Sequence, residues 1–383
     1  MNLAVQRLLS CFLVLIGASD LFYAQSRPED RLQPGQWGQC NSEDVAQAIV
    51  AFSELIEAGN RADSTLAYAF KNRGNAYFRK RDYDRAIQDY DQALRLSPGS
   101  AEVFYIRGRA YARRHDYDRA IQDYTQAARL NPSDPNVFDG LGSAYWHKSD
   151  YDRTIENYDQ ALRLRPIDDY ALIGRGLAYW AEGDYERAIQ GYDQALRLKP
   201  NSADAFYNRG LAYASKGDSN RAIDDYSQAL RLTPGDADAF YQRGLAYAHT
   251  GDYENAIQDY NHVLSIKPAD VNALGVRGVA YTKEGEYDQA IRDFDQALLI
   301  NPRFEFGFGK RSIVYARKGM YGRAISDWSR WLWLKYGFLG ITIRLFVLIL
   351  TTGLGFLLKR FENRRVAHLS GVGLLAPIRG NRR

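Results

Sequence analysis

Gly176-Leu-Ala-Tyr-Trp-Ala-Glu-Gly-Asp-Tyr-Glu-Arg-Ala-Ile-Gln-Gly-Tyr-Asp-Gln-Ala-Leu-Arg-Leu-Lys-Pro200 is the stretch whose reading decides the fold. Leu172, Gly176 and Tyr179 step by four and three, and so do Ala188, Tyr192 and Ala195, which is the spacing of two amphipathic helices. Between them Gly183-Asp184-Tyr185 reads as a turn. There glycine ends the first helix with a positive φ and aspartate caps the free N–H groups of the second. Pro200 stops the second helix, because proline lacks an amide donor and its ring clashes with the preceding turn.

The same sentence is written eight times between residues 67 and 336, with a period of 34. Gly74, Gly108, Gly142, Gly176, Gly210, Gly244 and Gly278 mark the beat, and Ser312 takes the eighth place. A tyrosine follows each after three residues, from Tyr77 to Tyr315. A small residue follows after twelve (Ala86 to Ala324, with Thr154 in the third copy) and an aromatic after sixteen (Tyr90 to Trp328). Seven of the copies close on proline, from Pro98 to Pro302. A period this strict predicts stacked helix-turn-helix units, each touching only its neighbours. Glycine and alanine leave room for a neighbouring helix, and the aromatics fill what remains.

This pattern resembles the tetratricopeptide repeat family. The resemblance implies an all-α, right-handed superhelical solenoid of eight units, a non-catalytic interaction surface and no cofactor. Two departures stand out. The residue before the glycine is usually arginine (Arg73, Arg107, Arg175, Arg209, Arg243, Arg277) where the family often has leucine. The last copy is worn: Ser312 replaces glycine, Trp331 replaces alanine, and no proline ends it.

The segments outside the repeats suggest an exported, membrane-anchored bacterial protein of this family. Residues 1–24 place one Arg7 before the apolar run Leu8 to Ala18 and read as a signal peptide cut after Ala24; an uncleaved N-terminal anchor is the alternative. Residues 25–66 are a leader followed by an N-terminal capping helix from Ser42 to about Ala58. Residues 337–358 form a 22-residue apolar stretch broken by Arg344 and three threonines, long enough for one transmembrane helix. Trp328, Trp331, Trp333 and Tyr336 suit its outer interface, and Lys359-Arg360 and Arg364-Arg365 suit the cytoplasmic side. The alternative for this stretch is a helix folded over the last repeat. Residues 359–383 are a basic tail of seven Lys/Arg and one Glu. The expected location is therefore the bacterial inner membrane, single-pass, with the repeats periplasmic and the tail cytoplasmic.

The formal charge of +4 leaves a weakly acidic repeat body once the tail is set aside, which is not the footprint of a nucleic-acid binder. The five histidines and two cysteines show no metal-ligand spacing, and no phosphate-cradling loop or nucleophile elbow is present. The recurring carboxylates of the second helix lie opposite its apolar stripe and are expected to form a solvated outer face. An enzyme is not expected.

What the resemblance implies instead is a groove lined by the first helix of each unit at its second, fifth, ninth, twelfth and thirteenth places. Mapped onto this chain, the groove candidates are Lys71, Asn75, Arg79, Tyr105, Arg109, Arg113, Trp146, Tyr170, Trp180, Tyr207 and Tyr241. They give a basic entrance and an aromatic floor for protein or peptide partners. Trp146 and Trp180 stand where other copies have alanine and serve either ligand contact or packing between repeats. Lys71 and Asn75 match the start of the two-carboxylate clamp by which some family members hold acidic chain ends, but Ile106, Asn136 and Gly140 fail the rest. The function expected is a membrane-tethered scaffold for partner proteins. The alternative is a non-catalytic assembly or regulatory subunit of an envelope complex, acting partly through its membrane helix. Self-association through the end faces is compatible with either.

Overall fold

The computed structural model describes residues 42–58 and 62–337. These residues form seventeen helices in two compact units, one ending at Gln242 and one beginning at Arg243. In the first unit α1 (Ser42–Glu57) precedes five helix pairs. They are α2 (Asp63–Arg79) with α3 (Tyr83–Leu96), α4 (Ala101–Arg113) with α5 (Tyr117–Leu130), and α6 (Pro135–His147) with α7 (Tyr151–Leu164). Two more pairs follow, α8 (Asp169–Ala181) with α9 (Tyr185–Leu198) and α10 (Ala203–Ser215) with α11 (Ser219–Leu232). The division falls inside α12 (Ala237–Thr250). The second unit goes on through α13 (Tyr253–Ile266), then α14 (Val271–Glu284) with α15 (Tyr287–Ile300), and α16 (Glu305–Arg317) with α17 (Tyr321–Tyr336). Within each unit every helix packs on the next, and successive first helices also meet, as α4 does α6 and α14 does α16. The helix-turn-helix reading of the sequence therefore stands.

The turns show why these residues make these elements. Asp82, Asp116, Asp150, Asp184, Asp218 and Asp252 each accept from the backbone N–H three residues on, at 3.0–3.2 Å. A cap of this kind contributes about 1 kcal/mol. The residue before each cap sits in the left-handed region, and from the fourth repeat on it is a glycine (Gly183, Gly217, Gly251, Gly285, Gly319, φ between 72° and 89°). In the first three repeats Arg81, His115 and Ser149 take the same conformation at φ near 60°, which a side chain adopts at a cost. The second helix of each pair stops where expected. Ser97, Arg165 and Lys199 precede prolines and are extended (φ −139°, −135° and −134°), as proline requires of its predecessor.

In each unit the core sets aromatics against glycines and alanines. Tyr90, Tyr192, Tyr226, Tyr260 and Phe294 are at most 1% exposed. A Cβ on Gly74 would stand 2.7 Å from the Tyr90 ring, so only glycine lets α2 approach α3 this closely. In the last repeat the large Trp331 has its own counterpart in Gly309, where a Cβ would lie 3.0 Å from the indole.

One expectation fails. The carboxylates of the second helices are not simply a solvated face. Asp89, Asp123, Asp225, Asp259, Asp293 and Asp327 are buried to between 3% and 7% exposure. They are sunk because each one meets the arginine that precedes the beat residue (Gly or Ser312) of its own repeat. Arg209 Nε donates to Asp225 Oδ2 at 2.8 Å and Nη2 to Oδ1 at 2.7 Å, a two-pronged ion pair. The same fork joins Arg73 to Asp89, Arg107 to Asp123, Arg243 to Asp259, Arg277 to Asp293 and Arg311 to Asp327. A bidentate arginine–carboxylate pair satisfies the buried charge and fixes the angle between the two helices.

Among the described residues no helix is long and apolar enough to cross a membrane. The expected membrane span at 337–358 lies outside the described residues beyond Gly337, as do the tail and the signal segment.

Candidate functional site

All eleven groove candidates fall in the first unit, on α2, α4, α6, α8, α10 and the start of α12. The structure gives several of them structural work. Lys71 donates to both carboxylate oxygens of Glu102 at 2.9 Å, a bridge from the first repeat to the second. Asn75 accepts from the buried hydroxyl of Tyr90 at 2.8 Å. The two residues that match the start of a carboxylate clamp are thus both engaged inside the chain.

The next group is built for contact. The Arg109 guanidinium lies over the rings of Phe78 (5.3 Å) and Tyr105 (5.7 Å), and Tyr105 in turn packs on Tyr124 with centroids 5.8 Å apart. All three side chains are only half-buried, so helix spacing brings a cation and two aromatic faces together at the surface of α2 and α4. Such stacking costs the guanidinium little hydration and holds its planar fork in a set orientation. Arg79 and Arg113 sit at the ends of the same two helices and are also half-buried.

The tryptophans divide. Trp180 Nε1 donates to Ser215 Oγ at 3.0 Å, tying the fourth repeat to the fifth, so packing between repeats accounts for it. Trp146 leans on Tyr151 of its own repeat with centroids 5.3 Å apart and is half-buried. The Tyr170 hydroxyl meets that of Tyr158 at 3.4 Å, and its burial raises its pKa. Tyr207 packs on Tyr226, and burial together with Asp238 and Asp236 pushes its phenol up to about 12, so it remains a neutral donor. Tyr241 is half-buried.

Sequence reading missed a second charged cluster. Arg165, just before Pro166, reaches Asp168 at 2.7 Å, Asn136 at 2.9 Å and Asp139 at 2.7 Å. It binds the loop ahead of α8 to α6, and both aspartates are buried. Only one copy of the repeat carries this set, so periodicity held no sign of it. The Arg–Asp fork did leave a sign: arginine and aspartate recur sixteen residues apart in six repeats. Among the described residues no group of three or more His, Cys, Asp or Glu could hold a metal ion.

A stack of paired helices with these beat residues defines a helical repeat protein. The chain belongs to the tetratricopeptide repeat family: models described as tetratricopeptide repeat match residues 71–135, 136–168, 207–271 and 271–304, and one described as TPR repeat matches 176–217. The chain is similar to the MamA protein, with 30% identity over 44% of this chain and 92% of that one and a TM-score of 0.42. It is also similar to a tetratricopeptide repeat protein from Parabacteroides merdae (19% identity, 65% and 98% covered, TM-score 0.51). A third likeness is to PilW, described as a widely conserved type IV pilus biogenesis factor (17% identity, 53% and 94% covered, TM-score 0.50). The last two speak for the fold alone. No curated protein matches the chain.

Proposed function

We propose that this protein is an interaction scaffold that holds a protein or peptide partner on the first-helix face of its N-terminal repeats. The observation that carries the reading is the half-buried Arg109 guanidinium layered on Phe78 and Tyr105, with Arg79, Arg113 and Trp146 on neighbouring turns. Aromatic and arginine side chains of this kind dominate the energy of protein contacts. Lys71, Asn75 and Trp180 serve the fold in this reading, and Tyr105, Arg109 and Trp146 serve the partner. The test is site-specific photo-crosslinking from position 146 in cells, followed by the Tyr105→Ala/Arg109→Ala variant. Loss of the crosslinked partner with an unchanged helical circular dichroism signal supports the reading; an unchanged crosslink removes it.

The reading includes a tether. Residues 337–358 span the inner membrane, the repeats stand outside it and the basic tail lies inside. Support comes from the last turn of α17, where Trp333 and Tyr336 are each 44% exposed. Arg330 lies over Trp333 at 5.0 Å and Lys335 over Trp331 at 5.2 Å. Exposed aromatics layered with cations suit the headgroup zone of a bilayer. Labelling Cys40 with a membrane-impermeant maleimide in intact spheroplasts tests the topology: labelling before lysis is expected, and labelling only after lysis overturns it. A second reading, a subunit of an envelope complex held through Arg344, predicts that Arg344→Leu abolishes co-purification without lowering expression.

A further inference from the structure

The fork between arginine and aspartate has an odd member. In the fifth repeat Arg209 spends Nε and Nη2 on Asp225 and Nη1 on Asp193 of the preceding repeat. Arg107 and Arg311 are held in the same way, by Asp123 with Asp91 and by Asp327 with Asp295. In the fourth repeat the arginine is kept as Arg175, and its Nη1 reaches Asp159 of the preceding repeat as usual. Gly191 stands where the fork's aspartate stands in the sister repeats. Arg175 Nε is buried and has no hydrogen-bond partner among the described residues. A guanidinium N–H left in that state costs free energy, and native proteins rarely keep one without a reason.

We propose that Arg175, Gly191 and Asp159 form a binding site for a small carboxylate at the junction of α7, α8 and α9. Geometry and charge both point to that class of ligand. No neighbouring side chain fills the place a Cβ on Gly191 would take: the nearest atoms there are the Leu172 carbonyl oxygen at 3.3 Å and the Gly176 backbone. A free carboxylate stands further out than the bonded one of the sister repeats, at van der Waals distance from Gly191, with Nε donating to one oxygen and Nη2 to the other. Acetate is the small acid that carries the same carboxylate and carbon as the missing side chain. Charge agrees: Arg107, Arg209 and Arg311 each face two carboxylates, whereas Arg175 faces Asp159 alone. One added monocarboxylate restores the sister balance. A phosphate dianion brings more charge and bulk against Asp159 and the Leu172 carbonyl. The Arg175 side chain is 21% exposed and that of Asp159 34%, which leaves a way in from solvent. The site lies where α8 meets the second helices α7 and α9, and it shares no residue with the set assigned to protein partners.

The experiment uses the full chain with sodium acetate titrated against sodium chloride at constant ionic strength. Saturation-transfer NMR on the acetate methyl reports binding, and thermal unfolding reports linkage. Saturable transfer and a rise in Tm of about 1–2 °C at tens of millimolar acetate are expected. The Gly191→Asp variant supplies its own carboxylate, so it should melt higher in chloride and lose the response. Asp225→Gly copies the fourth repeat into the fifth and should roughly double the acetate signal, which keeps the test alive if another variant folds poorly. N-acetylaspartate N-methylamide separates two sources of the same chemistry. If it binds as acetate does, the site takes an acidic side chain of a partner; if acetate alone binds, it takes a free small acid. No saturable response in the parent chain, or an equal response in Gly191→Asp, overturns the proposal.

Discussion

Repeats one, two and five to eight close each helix pair with an Arg–Asp fork; repeats three and four do not. The third repeat has Leu141 and Asn157 at the two places and the fourth has Arg175 and Gly191. All of these repeats fold into the same pair of helices, so the fork is not required to close the seam. Leu141 fills it with a buried apolar side chain, 5% exposed. The forked repeats fill it with a charge pair whose attraction offsets the loss of hydration. The unforked region makes up its charged contacts elsewhere, through Arg165 and the two buried aspartates at the junction of the third and fourth repeats. Its hydrogen bonds to Asp225, opposed by burial, hold the Arg209 guanidinium above its ordinary pKa, while burial raises that of Asp225 against the pull of Arg209. What differs between the regions is the tolerance of change. A forked seam fails when one partner is lost, whereas an apolar seam fails only through lost volume.

The largest effect is expected at Arg165. Arg165→Leu leaves Asp139 and Asp168 buried without their cation, and a loss of about 3–5 kcal/mol is expected. Urea unfolding read by circular dichroism measures it, and a loss below about 1 kcal/mol would mean the cluster is ornamental. Next comes a transplant of the third repeat into the fifth. Arg209→Leu alone strands Asp225 and should cost about 3 kcal/mol, while Arg209→Leu/Asp225→Asn should recover most of that. A double variant as unstable as the single would show that the two seams are not interchangeable.

A smaller effect belongs to the turns. Arg81→Gly, His115→Gly and Ser149→Gly should each stabilise by about 1 kcal/mol, and Gly183→Ala should destabilise by a similar amount. Differential scanning calorimetry of the four variants checks the sign. The capping aspartates give a pH signature. Backbone and side-chain hydrogen bonds with Arg187 and Arg221 hold Asp184 and Asp218 below the usual carboxylate range. A depressed carboxylate contributes stability above its unfolded pKa, lost as pH falls through the folded value. Stability should therefore decline below about pH 4, and Asp184→Asn/Asp218→Asn should flatten that acid limb. The smallest contrast is between buried hydroxyls. Tyr90→Phe gives up its bond to Asn75 and should cost about 1 kcal/mol. Tyr192→Phe removes a hydroxyl with no hydrogen-bond partner among the described residues and should be neutral or slightly stabilising.

Much of the fold is legible in the chain because each repeat is written from local rules. A proline two residues past the helix end, an aspartate at its start and a small residue facing an aromatic act within a few residues of one another. Their recurrence at a period of 34 makes them readable. The candidate site was readable only as positions. That Lys71 faces Glu102 across repeats, that Asn75 serves Tyr90 and that Arg109 lies between two rings depend on which neighbour each side chain meets.

By itself the sequence determined the helix pairs, their turns and their order, since those follow from backbone preference and apolar spacing. Tertiary structure alone decided which carboxylates are solvated and which are buried, because that depends on where an arginine sixteen residues away points. It also decided that three residues other than glycine carry the left-handed turn, and that Arg175 is left with an unsatisfied donor. Charge and hydrogen bonding act between atoms brought together by packing, and packing joins residues that a linear pattern keeps apart.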